Sequence, residues 1–249
     1  MAKVWIGTSG WAYGSWKRRF YPPTLADSHR LEYYAQHFMT TEVNYSYYHV
    51  PSLEMYRKWA ATVPPEFLFA VKTNRAISHD QRLRHVEEIW NDFMQGAMAL
   101  GQHLGPILVQ LPPSFARDHA RLDDFLRMTS DLQPRVRLTV EFRHRSWFTA
   151  ETYRLLVRHR AAFCIGDGMR HPRANVATAD FAYLRFHGRT PREAPCYTDR
   201  ELEKEATYIE ALVRQGIDAF VYFNNDAGAH AIANAGRLKT LLPGICIPA

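Results

Sequence analysis

The feature that most constrains this chain is a pattern that returns eight times. A short run of β-branched, aromatic and aliphatic residues ends in polar residues, and in most cases an amphipathic helical stretch follows. The runs are VWIGTS (4–9), TTEVN (40–44), FLFAVKTN (67–74), PILVQLPP (106–113), RLTVEFR (137–143), AFCIGDG (162–168), AYLRFHG (182–188) and AFVYFNN (219–225). Helical patterns fall at 30–39, 52–62, 82–100, 121–131, 149–160, 199–215 and 229–242, the longest carrying Val86, Ile89, Trp90 and Phe93 at i, i+3, i+4, i+7 spacing. Thr149 and Asp199 are candidate N-caps. Strands alternating with helices must lie parallel, because the connection returns the chain to the same edge. The simplest closure of eight such units is an α/β fold of the TIM-like (β/α)8 type; an open doubly wound sheet is the alternative. Strands six and seven are separated by HPRANVATAD, too short for a full crossover helix, so an irregular connection is expected there.

A chain of 249 residues fits two small domains or one barrel. No Ser/Gly-rich linker divides it, so a single domain over residues 1–249 is expected. It begins Met-Ala-Lys, and no charged segment followed by an apolar one suggests a secretory leader. No run of about 18 apolar residues suggests a membrane span. Three widely spaced cysteines, Cys164, Cys196 and Cys246, suggest reduced thiols and a cytoplasmic location. The net charge of +6 suits an anionic partner, either a small phosphorylated compound or a nucleic acid. Scattered surface arginine is the plainer source of that charge, since no block of five like charges occurs. Oligomeric state is not readable.

Side chains alternate along a strand with period two. If Phe67, Phe69 and Val71 face the helices, then Lys72 and Asn74 point into the barrel. The same rule turns inward Glu42 and Asn44 of strand two, Gln110 of strand four, Glu141 and Arg143 of strand five, Arg185 and His187 of strand seven, and Asn224 of strand eight. Asp167 ends strand six. All of these sit at the C-terminal ends of their strands, where barrel enzymes build their active sites. Three acids (Glu42, Glu141, Asp167) face three permanent cations (Lys72, Arg143, Arg185), and His187 titrates near neutrality. Arginines in such a set suit bidentate contact with a carboxylate or phosphate.

Glu141, His187, Asp167 and Lys72 are therefore the candidate catalytic residues. Glu42, Asn44, Asn74, Gln110, Arg143, Arg185 and Asn224 are candidate substrate ligands, joined by Trp11, Tyr13 and Trp147 from aromatic-rich loops after strands one and five. A structural ion pair of Glu141 with Arg185 or Arg143 is an equally simple reading. Glu42, Glu141, Asp167 and His187 would be a carboxylate-histidine metal set, but a lysine and two arginines would repel a divalent ion. No cofactor and no metal are expected. Ser9 in GTSGW lacks the GxSxG context of a nucleophile elbow, and NNDAGAH (224–230) leads into a helix whose start could hold an anion.

Seven segments carry a wider resemblance: GTSGWAYGSWKRRFYP (7–22), EVNYSYYHVPS (42–52), FAVKTNRAISHD (69–80), GPILVQLPPSF (105–115), VEFRHRSW (140–147), YLRFHGR (183–189) and VYFNNDAGAHAIANA (221–235). Together they resemble the domain of unknown function 72 family, the YecE-like proteins, along essentially the whole chain. The resemblance implies a TIM-like barrel and no settled activity. Fold-level likeness of that family to endonuclease IV and xylose isomerase barrels suggests nucleic-acid or sugar chemistry by analogy only. The many metal-binding histidines and acids of an endonuclease IV site are missing from this sequence. The expectation is an enzyme, of hydrolase or lyase type, acting on an anionic substrate such as a nucleotide or nucleic acid. A non-catalytic anion or nucleic-acid binder and a sugar-phosphate isomerase or lyase are the alternatives.

Overall fold

A computed structural model describes residues 2–168, 172–188 and 196–248. Eight parallel strands close into a barrel in chain order. They are β1 (Val4–Thr8), β2 (Thr40–Val43), β3 (Leu68–Lys72), β4 (Leu104–Gln110), β5 (Leu138–Glu141), β6 (Ala162–Asp167), β7 (Phe181–Phe186) and β8 (Asp218–Phe223). Helices surround them: α1 (Arg30–Ala35), the single turn α2 (Tyr45–Tyr48), α3 (Leu53–Thr62), α4 (Glu87–Met98), α5 (His119–Leu132), α6 (Ala150–Arg158), α7 (Asp199–Arg214) and α8 (His230–Leu241). Among the described residues no helix joins β6 to β7, as the short HPRANVATAD segment predicts.

Alternation along the strands produces two cores. Outward residues such as Val71, Val140, Leu184 and Val221 pack with the helices, all completely buried. Inward residues Ala70, Leu108, Ala162, Cys164, Phe181, Tyr183, Phe220 and Tyr222 fill the lower barrel. Trp5 stacks on Phe220 at the base, their rings 4.7 Å apart. Closure between β1 and β2 depends on Gly7, where a Cβ would lie 2.0 Å from the Thr40 carbonyl oxygen.

Helix ends follow capping chemistry. Ser52 and Thr149 each accept an N-cap bond, from Met55 N and Thr152 N. The cap of α7 is Thr198, not Asp199: Thr198 and Glu201 form a reciprocal capping box, and Asp199 becomes the first helical residue. The long helix expected from residue 82 starts only at Glu87. Arg82, Leu83 and His85 adopt left-handed backbone (φ 48°, 67° and 50°), which no helix continues through.

Candidate functional site

Glu42, Lys72, Gln110 and Glu141 are the last or next-to-last residues of β2 to β5, and Arg185 is next to last in β7. Asn44, Arg143, His187 and Asn224 lie one or two residues beyond their strands. The shared inward phase brings them to one mouth. Arg185, 1% exposed, stands at its centre between two carboxylates. Its Nη2 is 2.7 Å from Glu42 Oε1 and its Nη1 2.5 Å from Glu141 Oε2. Glu42 also accepts from the Tyr183 hydroxyl (2.7 Å) and the Asn44 amide (3.2 Å). Glu141 Oε1 pairs with Arg143 Nη2 at 2.5 Å, and His187 Nε2 stands 3.6 Å from it.

These contacts settle the charge states. Burial alone would push the Glu141 carboxyl up, but Arg143, Arg185 and His187 outweigh it and hold it well below the usual range. Glu42 follows the same balance, with Arg185 the main opposing partner, and is also lowered. Burial lowers His187, so the imidazole is neutral at neutral pH. Its Nε2 is 3.1 Å from Arg143 Nη2 and its Nδ1 3.0 Å from Asn224 Nδ2.

Lys72 is differently placed. Its Nζ donates to Gln110 Oε1 at 2.9 Å and sits 4.1 Å above the Tyr47 ring. Among the described residues it has no carboxylate partner. Burial and then the Arg185 charge pull its pKa down to about 8, despite Glu141 and Glu42 nearby.

Asp167 is not part of this mouth, contrary to the sequence expectation. The position facing inward in β6 is Gly166, whose Cβ would lie 3.7 Å from Glu141 Oε1. Asp167 falls on the opposite phase. It accepts from the Tyr197 hydroxyl at 2.9 Å and stands 3.5 Å from Arg173 Nη1. Arg173 forks onto Glu205 of α7 at 2.8 and 2.7 Å, so Asp167 helps tie the β6–β7 connection to that helix. Among the described residues the converging set is therefore three cations, Lys72, Arg143 and Arg185, against two carboxylates, not three against three.

Other expected ligands also move. Trp147 is fully buried outside the barrel, stacked on Phe142 with its indole N–H on the Phe115 carbonyl (2.8 Å). It is core and not mouth. Asn74 is spent on the turn after β3, accepting from Ala76 N and donating to the Ser46 carbonyl. Trp11 and Tyr13 line a groove of about 470 Å³ beside the mouth, with Asn44, Tyr45, Tyr48 and Trp59. Trp11 rests edge-on against Trp59. Tyr183 is a mouth residue that went unnamed, although the alternation placing Arg185 inward places it inward too. Tyr47 under Lys72 gave no such signal, since a one-turn helix after β2 sets its direction. Among the described residues no group of three or more His, Cys, Asp or Glu could hold a metal ion. The acids of the proposed metal set are already occupied by arginines.

A family model described as a protein of unknown function, DUF72, matches residues 5–245. The chain belongs to the DUF72 family. The UPF0759 protein YunF of Bacillus subtilis is 26% identical over 270 aligned residues, covering 96% of this chain and 94% of its own. The UPF0759 protein YecE of Escherichia coli K12 is 30% identical over 146 residues, 58% of this chain and 50% of YecE. A DUF72 protein of Thermotoga maritima superposes with a TM-score of 0.86 at 31% identity, covering 96% of this chain and 99% of that one. One from Enterococcus faecalis superposes at 0.79 with 21% identity, which speaks for the fold alone. The family model carries no activity in its description, and these relatives, all bacterial proteins, bear only family names.

Proposed function

We propose that the mouth binds a small phosphate- or carboxylate-bearing substrate and that the protein is an enzyme acting on it. The observation that carries this reading is Lys72, a buried cation that among the described residues has no carboxylate partner, in a mouth whose described residues include three cations and two acids. An uncompensated buried charge is costly, and an incoming anion relieves that cost. Lys72 and Arg143 hold the anion. Arg185 orients both carboxylates, while Gln110 and Asn224 fix Lys72 and His187. His187, neutral and hydrogen-bonded at the mouth, moves the proton. Glu141, held ionised by two arginines, positions them and does not serve as an acid.

The test is thermal unfolding at low salt with inorganic phosphate, sugar phosphates or a single-stranded oligonucleotide. At ten times Kd, phosphate is expected to raise Tm by roughly 3–6 °C, and Lys72→Gln to reduce that gain. No shift with any anion, or an equal shift in the variant, contradicts the reading. A second reading, single-stranded nucleic acid, draws on Tyr45 and Tyr48, which are 46% and 69% exposed beside the mouth and offer faces for stacking. It predicts protection by the oligonucleotide that phosphate does not match.

A further inference from the structure

We propose that Lys72 condenses with the carbonyl carbon of an aldehyde or ketone that also carries a phosphate or carboxylate, forming an imine at the barrel mouth. The inference rests on the reading that this mouth takes an anion, and it names the chemistry done there.

The geometry of one side chain carries it. A lysine that neutralises a carboxylate lies against one, and a lysine that serves solubility lies in water. Lys72 does neither. It ends β3 on the C-terminal face of the barrel, and among the described residues its Nζ meets a neutral amide oxygen 2.9 Å away and an aromatic face 4.1 Å away, with no carboxylate in contact. The nearby acids, Glu42 and Glu141, are directed at Arg185 and Arg143 instead. Lys72 is also open to the mouth. It keeps 8% of its surface, against 0% for Glu42, 1% for Arg185 and 2% for Glu141. Arg143 and His187 stand at the same opening, their side chains 9% and 14% exposed.

An amine desolvated beside other cations is the usual form of an imine-forming lysine. The pKa near 8 leaves roughly a tenth of Lys72 as free amine at pH 7, against well under about 0.1% for an ordinary lysine. In the step itself the nitrogen lone pair of the free amine adds to the carbonyl carbon, and one N–H proton passes to the carbonyl oxygen to give the neutral carbinolamine. A proton from solvent, equal to the one the ammonium released, then goes to that hydroxyl; it leaves as water, and the nitrogen lone pair closes the protonated imine. No oxidant or reductant is consumed. The anionic group of the same molecule lies with Arg143, which raises the local concentration of carbonyl at Nζ.

The test is reductive trapping on the full-length protein. Pyruvate and dihydroxyacetone phosphate are each incubated with it and sodium cyanoborohydride, and the adducts are mapped by peptide mass spectrometry. The expected result is an adduct on Lys72 at least ten-fold above any of the other five lysines, slowed by inorganic phosphate and lost in Lys72→Arg. Absence of Lys72 enrichment with both probes overturns the imine. If phosphate still protects the fold in that case, the anion site stands without it. Trapping on Lys72 that phosphate does not slow keeps the imine and removes the anion site.

Discussion

Tyr183 and Arg185 stand two residues apart on one face of β7, yet they belong to different worlds. Tyr183 lies among Phe220, Tyr222, Phe181, Cys164, Leu108 and Ala70, a buried column of rings and small side chains. Arg185 lies higher, between two carboxylates. The alternation that turns a residue inward is the same for both; depth along the strand decides what it meets. The lower layer is also the reason the upper one is electrostatically potent. A floor of buried apolar and aromatic side chains keeps the local dielectric low, so charges above it act on one another strongly. The two layers touch where the Tyr183 hydroxyl donates to Glu42, while the Tyr222 and Thr40 hydroxyls meet within the lower one (both 2.7 Å).

Substitutions that act on only one layer sharpen this contrast. The largest effect is expected from Arg185→Met, which leaves buried Glu42 without its arginine and Glu141 with Arg143 as its remaining arginine partner, and should cost about 3–5 kcal/mol in urea unfolding. A loss under about 1 kcal/mol would mean the charges are not truly buried. Phe220→Ala empties the lower layer and should cost about 3–4 kcal/mol, with phosphate protection retained; loss of that protection would show that the layers do not act separately. Lys72→Met should go the other way, stabilising by on the order of 1–3 kcal/mol at pH 7, because the fold holds this amine against its preference for water. The lowered pKa of Lys72 means that its cost is present below about pH 8 and disappears as pH rises toward the unfolded value near 10.4, so the advantage should vanish above that pH. Tyr222→Phe, losing one hydroxyl contact to Thr40, should cost only about 1 kcal/mol.

Of the two layers, acid should act on the upper one. Glu42, Glu141 and His187 all release protons more readily folded than unfolded. Each therefore adds stability above its unfolded pKa that is lost as pH falls through its folded one. The loss is expected to begin near about pH 6.5 with His187 and steepen below about 4.3 with the carboxylates. In Glu141→Gln the lower part of that decline should flatten.

Much of this architecture was readable before any coordinates. Eight strands with polar C-terminal ends implied the barrel, and period two selected Glu42, Lys72, Gln110, Glu141 and Arg185 from the sequence. The same rule failed where its phase was not anchored. Gly166 has no side chain to reveal which way β6 faces, so Asp167 looked like a mouth acid when it is the next residue round. Trp147 and Tyr47 lie beyond strand ends, where loop geometry and not alternation sets direction. Charge type alone could not show that Glu141 is paired with two arginines, the contacts from which its proposed role as an anchor is argued. The singular state of Lys72 was equally hidden, because it depends on which neighbours the carboxylates choose.

That state can be read directly by following the Lys72 ammonium by isotope-edited NMR as pH is raised, with and without inorganic phosphate. The expected result is a midpoint near 8 in the free protein that moves upward when phosphate binds. A midpoint near the ordinary lysine value, indifferent to phosphate, would contradict both the uncompensated charge and the anion site built on it.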